Sequence, residues 1–305
     1  MPDPAAGLSA LVLGAAAGGG FPQWNCGCRQ CCLVRAGDPR VRPVTQASVA
    51  ISGDDENWVV IGASPDLRQQ ILQTPCLWPG SGLRHSPIIG VVLLGGDVDA
   101  LAGLLTLRER QPFKIYGAPT VLELLRTNRI FGVLDPALVR LQPIAVDAPV
   151  DCGAGLRLTL LEMPGKVPLY LESAGAAEAE PGPNYAACLE ANGRRVIVAP
   201  ACADITDQVR RQLDNADVIF FDGTLFTDDE MIVAGLGAKT SRRMGHVPVS
   251  GPGGTLEGLA GLRGRRRILL HINNSNPILL ADSPERRQVE AAGFEIAYDG
   301  MEVRL

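Results

Sequence analysis

A few cysteines, carboxylates and histidines carry whatever chemistry this chain performs. Four of its eight cysteines fall within WNCGCRQCC, Trp24 to Cys32. Cys26, Cys28 and Cys31 have C-x-C-x-x-C spacing. Three thiolates on a short loop suit one soft ion in a tetrahedral site, so Zn2+ is the expected occupant. Gly27 is expected to permit the turn. Adjacent Cys31 and Cys32 do not easily serve the same ion, and Cys31 has the spacing of a zinc knuckle. The alternative is a cluster of small buried residues. The loop supplies no fourth ligand of its own. Cys76, Cys152, Cys188 and Cys202 are scattered and read as buried or incidental.

There are only three histidines. His85, in RHSPI, reads as incidental. His246 lies in the glycine-flanked stretch RRMGHVPVSG, where it could be a ligand or a proton donor. His271 ends the apolar run ILLH and is followed by Asn273, Asn274 and Asn276. A strand that ends in an imidazole and a row of amides points polar groups into a cleft. Asp222 ends another apolar run, VIFFD, where a carboxylate is costly to bury unless paired or ligated. Asp97 and Asp99 follow IIGVVLLGG in the same way. These two could instead be solvated acids at a helix N-terminus, which the helix dipole favours.

The elements that must position these groups are short. β-like runs cover Ser9–Leu13, Trp58–Ile61, Ile89–Leu94, Lys114–Tyr116, Leu156–Leu161, Leu169–Glu172, Arg195–Ala199, Val218–Phe221 and Ile268–His271. Several are continuously apolar, as in strands covered on both faces. Helix-like runs cover Asp97–Arg108, Thr120–Phe131, Ile205–Asn215, Gly253–Leu262 and Pro284–Ala292, which favours α/β layers. Ser173–Asn184 reads as an exposed loop. The glycines of Gly14–Gly20 lack the spacing and following helix of a dinucleotide cradle. No stretch resembles a domain linker, so residues 1–305 read as one domain.

Composition narrows the class. A formal charge of −5 and 5% aromatic residues argue against a nucleic-acid surface. Leu8–Ala17 is apolar but is preceded by Asp3 and no basic residue, so it reads as a first buried strand rather than a signal peptide. No run is long enough to span a membrane. The expected compartment is the cytoplasm, where clustered thiols stay reduced and bind metal.

Six stretches in order, FPQWNCGCRQC, SPDLR, LGGDVDALAGLLTLRE, FFDGTLFTDDEM, RRMGHVPVSG and HINNSNP, make the chain resemble the metallo-β-lactamase superfamily. Within it, the chain resembles the coenzyme PQQ synthesis protein B family over its whole length. The resemblance implies an αββα four-layer sandwich. The superfamily's H-x-H-x-D-H signature corresponds to Gly95–Ala100, where only Asp99 is kept; Gly95, Asp97 and Ala100 replace the histidines. The later metal aspartate corresponds to Asp222 and the final histidine to His271. Near Pro164–Lys166 there is no counterpart of the middle histidine.

So few imidazoles do not suit a binuclear zinc hydrolase. A mononuclear set of Asp97, Asp99, Asp222 and His271 approaches the donors used by non-haem Fe2+ oxygenases. The resemblance implies an iron-dependent hydroxylase acting on the tyrosine of a Glu-Tyr unit cut from a precursor peptide; His246, from its loop, and Asp222, from its strand end, are the expected catalytic residues. Its partners would be that small peptide-derived substrate or PQQ, and other PQQ biosynthesis proteins. The alternatives are a non-catalytic carrier of PQQ or its precursor to the periplasm, and a residual hydrolase. In phosphodiesterase-like relatives the cysteine loop holds a structural zinc whose fourth ligand lies three residues after the last metal histidine. Here that residue is Asn274.

Overall fold

The computed structural model describes residues 7–173, 180–263 and 266–305. Fourteen strands form two mixed sheets of seven among the described residues. The first sheet contains β1 (Ser9–Gly14), β2 (Ser48–Ser52), β3 (Trp58–Ile61), β4 (Ile88–Leu93), β5 (Phe113–Gly117), β6 (Val139–Pro143) and β14 (Glu302–Arg304), in the order β14-β1-β2-β3-β4-β5-β6. The second contains β7 (Val150–Gly153), β8 (Leu156–Met163), β9 (Asn184–Ala191), β10 (Arg194–Ala199), β11 (Val218–Asp222), β12 (Arg266–Leu270) and β13 (Glu295–Ile296), in the order β13-β12-β11-β10-β9-β8-β7. Helices flank the sheets, giving the expected αββα sandwich. One hydrophobic cluster draws on both sheets, from Val12 and Val91 in the first to Phe220 and Leu269 in the second.

The strands that carry the site are parallel. β3 through β6 run parallel in the first sheet, and β10 through β13 in the second. Parallel strands need crossovers, and the helices Asp207–Leu213 and Pro284–Ala291 supply two of them. Thr206 and Ser283 start these helices by accepting hydrogen bonds from the backbone N–H of Val209 and Arg286. β11 is buried along its length, as its unbroken apolar run predicts. Phe220 and Phe221 are each fully buried, worth about 1.5–3 kcal/mol apiece.

Two sets of backbone bonds join the sheets at the carboxyl ends of these strands. Tyr185 at the start of β9 donates to Leu94 just after β4 (2.9 Å). After β12, Ile272 donates to Ala15 and accepts from Ala17, both at 2.9 Å. Loops following β4, β10, β11 and β12 therefore converge on one mouth.

Several expected elements differ. Leu169–Glu172 is not a strand: Leu169–Leu171 forms one 3-10 turn, with Leu169 67% exposed. Asp97–Arg108 is not a single helix but an α-turn, Val98–Leu101, followed by 3-10 turns over Ala102–Arg108. The Ala100 carbonyl and the Gly103 N–H are both spent on Ala63, which breaks the helical ladder. Gly253–Leu262 shrinks to Thr255–Gly258. Half of the loop expected over Ser173–Asn184, residues 174–179, lies outside the described residues, and Asn184 already belongs to β9.

Candidate metal centre

Asp222 is the last residue of β11, paired with Leu270 of β12. Its carboxylate is fully buried and accepts four hydrogen bonds. Oδ2 accepts from the Cys202 N–H (2.9 Å) and lies 2.8 Å from His246 Nδ1. Oδ1 accepts from the N–H and hydroxyl of Thr224, at 3.0 and 2.7 Å. The Thr224 hydroxyl also lies 2.9 Å from His271 Nδ1 and 3.1 Å from His246 Nδ1. The two rings stack, with centroids 5.2 Å apart.

The network assigns the protons. Thr224 has one hydroxyl proton and gives it to Asp222, so His271 Nδ1–H donates to Thr224. His246 Nδ1–H donates to Asp222. His246 Nε2 is thereby left for other work, the usual outcome when a carboxylate or hydroxyl orients a metal-binding imidazole, whereas His271 Nε2 is turned to Asp99. His271 Nε2 lies 3.0 Å from Asp99 Oδ2.

Backbone strain marks the same place. His271 has φ +60°, the left-handed region, where a residue with a side chain is uncommon. The bend lets Ile272 leave the second sheet and bond to Ala15 and Ala17. Without it the imidazole would continue the alternation of β12.

The charges interact strongly. Burial opposes ionisation of Asp99, but the hydrogen bond and charge of His271 outweigh it and hold the carboxyl below its ordinary range. Burial likewise opposes protonation of His271, yet Asp99, Asp222 and Asp97 together raise its pKa. Asp97 is pushed up, first by burial and then by Asp99. The structure thus gathers Asp97, Asp99, Asp222, His246 and His271 at one cleft. Donor atoms of Asp222, His246 and His271 lie within 4.8 Å of one another, as a shared ion requires. His85 is elsewhere: it is exposed, and its Nδ1 accepts from the Gly80 N–H.

The sulfurs of Cys26, Cys28 and Cys31 form a second group within 4.8 Å. Cys28 caps the helix Arg29–Arg35 by accepting from the Cys31 N–H. The Asn274 side chain closes the group, with Nδ2 at 3.2 Å from Cys26 Sγ, 3.6 Å from Cys28 Sγ and 3.4 Å from Cys31 Sγ. Burial raises the Cys31 thiol to about 12. For Cys28, burial is outweighed by hydrogen bonds from Cys31, Cys26 and Asn274, which lower its pKa. Cys32 is exposed and faces the Gly27 carbonyl at 3.3 Å. The expected role of Gly27 needs correction. It is not left-handed, and a Cβ there would meet nothing within 4 Å, so the turn does not require glycine.

Sequence reasoning missed Thr224 and the Cys202 N–H. The hydroxyl two residues after a strand-end aspartate, in DGT, was the available signal. It also missed Glu230, whose carboxylate accepts from the Phe226 N–H (2.6 Å) and the Ser275 hydroxyl (2.5 Å). Burial raises the Glu230 carboxyl to about 7.

Known proteins fit this geometry. Residues 57–272 match the family described as Beta-lactamase superfamily domain, and fold and site together define a member of the metallo-β-lactamase superfamily. A diphosphatase of the PhnP family shares the fold at 16% identity, with a TM-score of 0.68 over 98% of this chain and 97% of that one. Coenzyme PQQ synthesis protein B from Gluconacetobacter diazotrophicus is 52% identical, with 97% of this chain and 99% of that protein covered. The Rhizobium meliloti protein of that name is also 52% identical, over 98% of each chain. The crystal structure of Zn2+-bound PqqB from Methylobacterium extorquens superposes with a TM-score of 0.95 at 47% identity, covering 97% and 100% of the two chains. The chain belongs to the coenzyme PQQ synthesis protein B family, and so to the synthesis of coenzyme PQQ.

Proposed function

We propose that the cleft holds one Fe2+ and hydroxylates the tyrosine ring of a Glu-Tyr unit on the way to PQQ, while the cysteine loop holds a structural Zn2+. The donor set carries the reading. Gly95 and Ala100 stand where the superfamily signature has histidines, so two imidazoles and several carboxylates replace a nitrogen-rich binuclear centre. Mixed nitrogen and carboxylate donors with open positions suit Fe2+. Asp99 and His271 would hold the ion, with Asp97 beside them; Asp222, whose two oxygens already accept four hydrogen bonds, orients the imidazoles from beneath rather than joining the expected ligand set.

Iron bound there would supply oxygen activation, inserting one atom of O2 into an aromatic C–H and releasing the other as water with two electrons from an external reductant. The protein's own residues do the rest. Thr224 and Asp222 fix both imidazoles before any ligand arrives, so no reorganisation is needed at the moment of reaction. Asp222 also takes up the positive charge of a protonated His246, which lets His246 give or accept a proton at Nε2.

At the second site, three sulfurs and the Asn274 amide fit zinc. A half-turn of the amide puts Oδ1 where Nδ2 lies, as a fourth ligand. Zn2+ in the Methylobacterium extorquens PqqB structure supports a zinc-binding family. All eight cysteines are unpaired, which supports a cytoplasmic setting. Among the described residues no helix is long and apolar enough to cross a membrane.

The test is reconstitution with Fe2+ under nitrogen, followed by oxygen, a reductant and a Glu-Tyr dipeptide, read by mass spectrometry and metal analysis. About one iron beside one zinc and a dipeptide gaining one oxygen atom is expected. Zinc alone, with tight PQQ binding and no oxygen gain, would establish the carrier instead.

A further inference from the structure

One wall of the cleft carries a charge cluster that the metal chemistry does not use. Lys166–Glu172 lies between the Asp97 loop and the His246 loop. The Tyr170 hydroxyl donates to the Gly96 carbonyl at 3.1 Å. The Lys166 side chain lies against Gly245, where a Cβ would fall 2.9 Å from its Cγ. At the far end, the Glu172 carboxylate is almost enclosed, with 6% of the side chain exposed. Lys166 Nζ and Lys239 Nζ each reach it at 3.0 Å, and the Arg243 guanidinium grips both oxygens at 3.3 and 3.4 Å.

Three cations thus share one carboxylate. Their positive charge is held in a partly dry wall, where it is screened less than on an open surface, and Lys166 also feels the charge of Asp97. Lys166 and Arg243 are mostly enclosed, at 14% and 13% side-chain exposure, whereas Lys239 is more exposed, at 39%. An ammonium has three donors, and among the described residues that of Lys239 meets only Glu172. Leu169, Tyr170 and Leu171, all about half exposed or more, line the same segment. The wall therefore offers apolar surface beside positive charge.

We infer that Lys166, Lys239 and Arg243 form a carboxylate-binding subsite, which takes an acidic group of the ligand while Tyr170 and its apolar neighbours flank the aromatic part. This rests on reading the metal cleft as the substrate site. It predicts ligands that carry both a carboxylate and a ring. Lys239 selects the ligand and Glu172 keeps the three cations together when the subsite is empty.

The test is calorimetric titration of the zinc- and iron-loaded protein under nitrogen, with Glu-Tyr and with the same dipeptide whose two carboxylates are both converted to uncharged amides. The wild type should bind the acid at least tenfold more tightly, the scale of one charge-assisted hydrogen bond. Lys239→Gln should remove about that factor for the acid, leave the amide unchanged and leave both metals and the melting temperature in place. Lys239→Arg should retain affinity within about twofold, which guards against a merely structural effect. Equal affinity of the wild type for acid and amide, or an unchanged affinity in Lys239→Gln, would show that the cluster only braces the loop. If the wild type binds neither probe, the reading of the cleft fails and the subsite with it.

Discussion

Replacing Asp222 with Asn removes one charge, hardly changes shape, and tests the network beneath the metal cleft. The aspartate accepts two hydrogen bonds at each oxygen. Asparagine keeps one oxygen and turns the other into an NH2 donor, so two donors must face donors whichever way it lies. The less costly orientation aims the NH2 at Thr224, whose hydroxyl can rotate. The Thr224 N–H is then orphaned in a fully buried place, and the surviving bonds lose their charge. An unsatisfied buried donor costs about 1–3 kcal/mol and a charge-assisted bond about 1.5–3 kcal/mol, so a loss of roughly 2–5 kcal/mol follows. The rotated Thr224 hydroxyl now donates to His271 Nδ1. With Nδ1 now accepting, the imidazole's proton is confined to Nε2, the atom beside Asp99, which is left with no lone pair for a metal. Urea unfolding of Asp222→Asn should report the lost stability. Iron analysis after anaerobic reconstitution should show little iron, and 15N shifts of the imidazole should report the exchanged tautomer. A variant that keeps the wild-type midpoint, full iron and the original tautomer refutes the reasoning.

Three further outcomes are expected. Cys28→Ser should lower zinc content and melting temperature together, since binding energy at a structural zinc is folding energy, whereas the exposed Cys32→Ser should change neither; metal analysis beside thermal unfolding checks both. His246→Ala should retain iron yet lose roughly 10²–10⁴-fold in turnover if the imidazole moves a proton, and loss of iron instead would make it a ligand. Glu230 is held at about 7 against an ordinary 4.5, so its contribution is full below about pH 4.5 and is lost as pH rises through 7. Over that window wild-type stability should fall relative to Glu230→Gln by at most roughly 3 kcal/mol, measured as paired unfolding midpoints at each pH.

Legibility followed energetic cost. Asp222 and His271 stood out because a polar group ending an apolar run must be paired, and the structure supplies those partners. The choice of Cys31 over Cys32 followed from spacing, and Cys31 is the buried one. Thr224 was invisible because a hydroxyl costs little anywhere and gains meaning only from what surrounds it. β9 (NYAACLEA) has weak strand propensity and is made a strand by its neighbours β8 and β10. The Leu169–Glu172 error has a clear cause. An apolar triplet reads as strand, but here its ends are tied by Tyr170 to Gly96 and by Glu172 to three cations, and the triplet is left exposed. Glycine at position 103 gave no warning that its N–H would be claimed by Ala63.

The segment His271–Asn274 belongs to both metal groups, since one end faces Asp99 and the other faces the three cysteines. Two ions held by the ends of one short peptide form a thermodynamic box. If zinc lowers the free energy of the bend at His271, iron binds more tightly to the zinc-loaded chain, and zinc must then be retained more tightly by the iron-loaded chain by the same factor. Such couplings are typically about 1–3 kcal/mol. On the proposed two-metal reading, a cell short of zinc would hold less iron on this protein at unchanged iron supply, and the cysteine loop would set how much of the protein is metal-loaded.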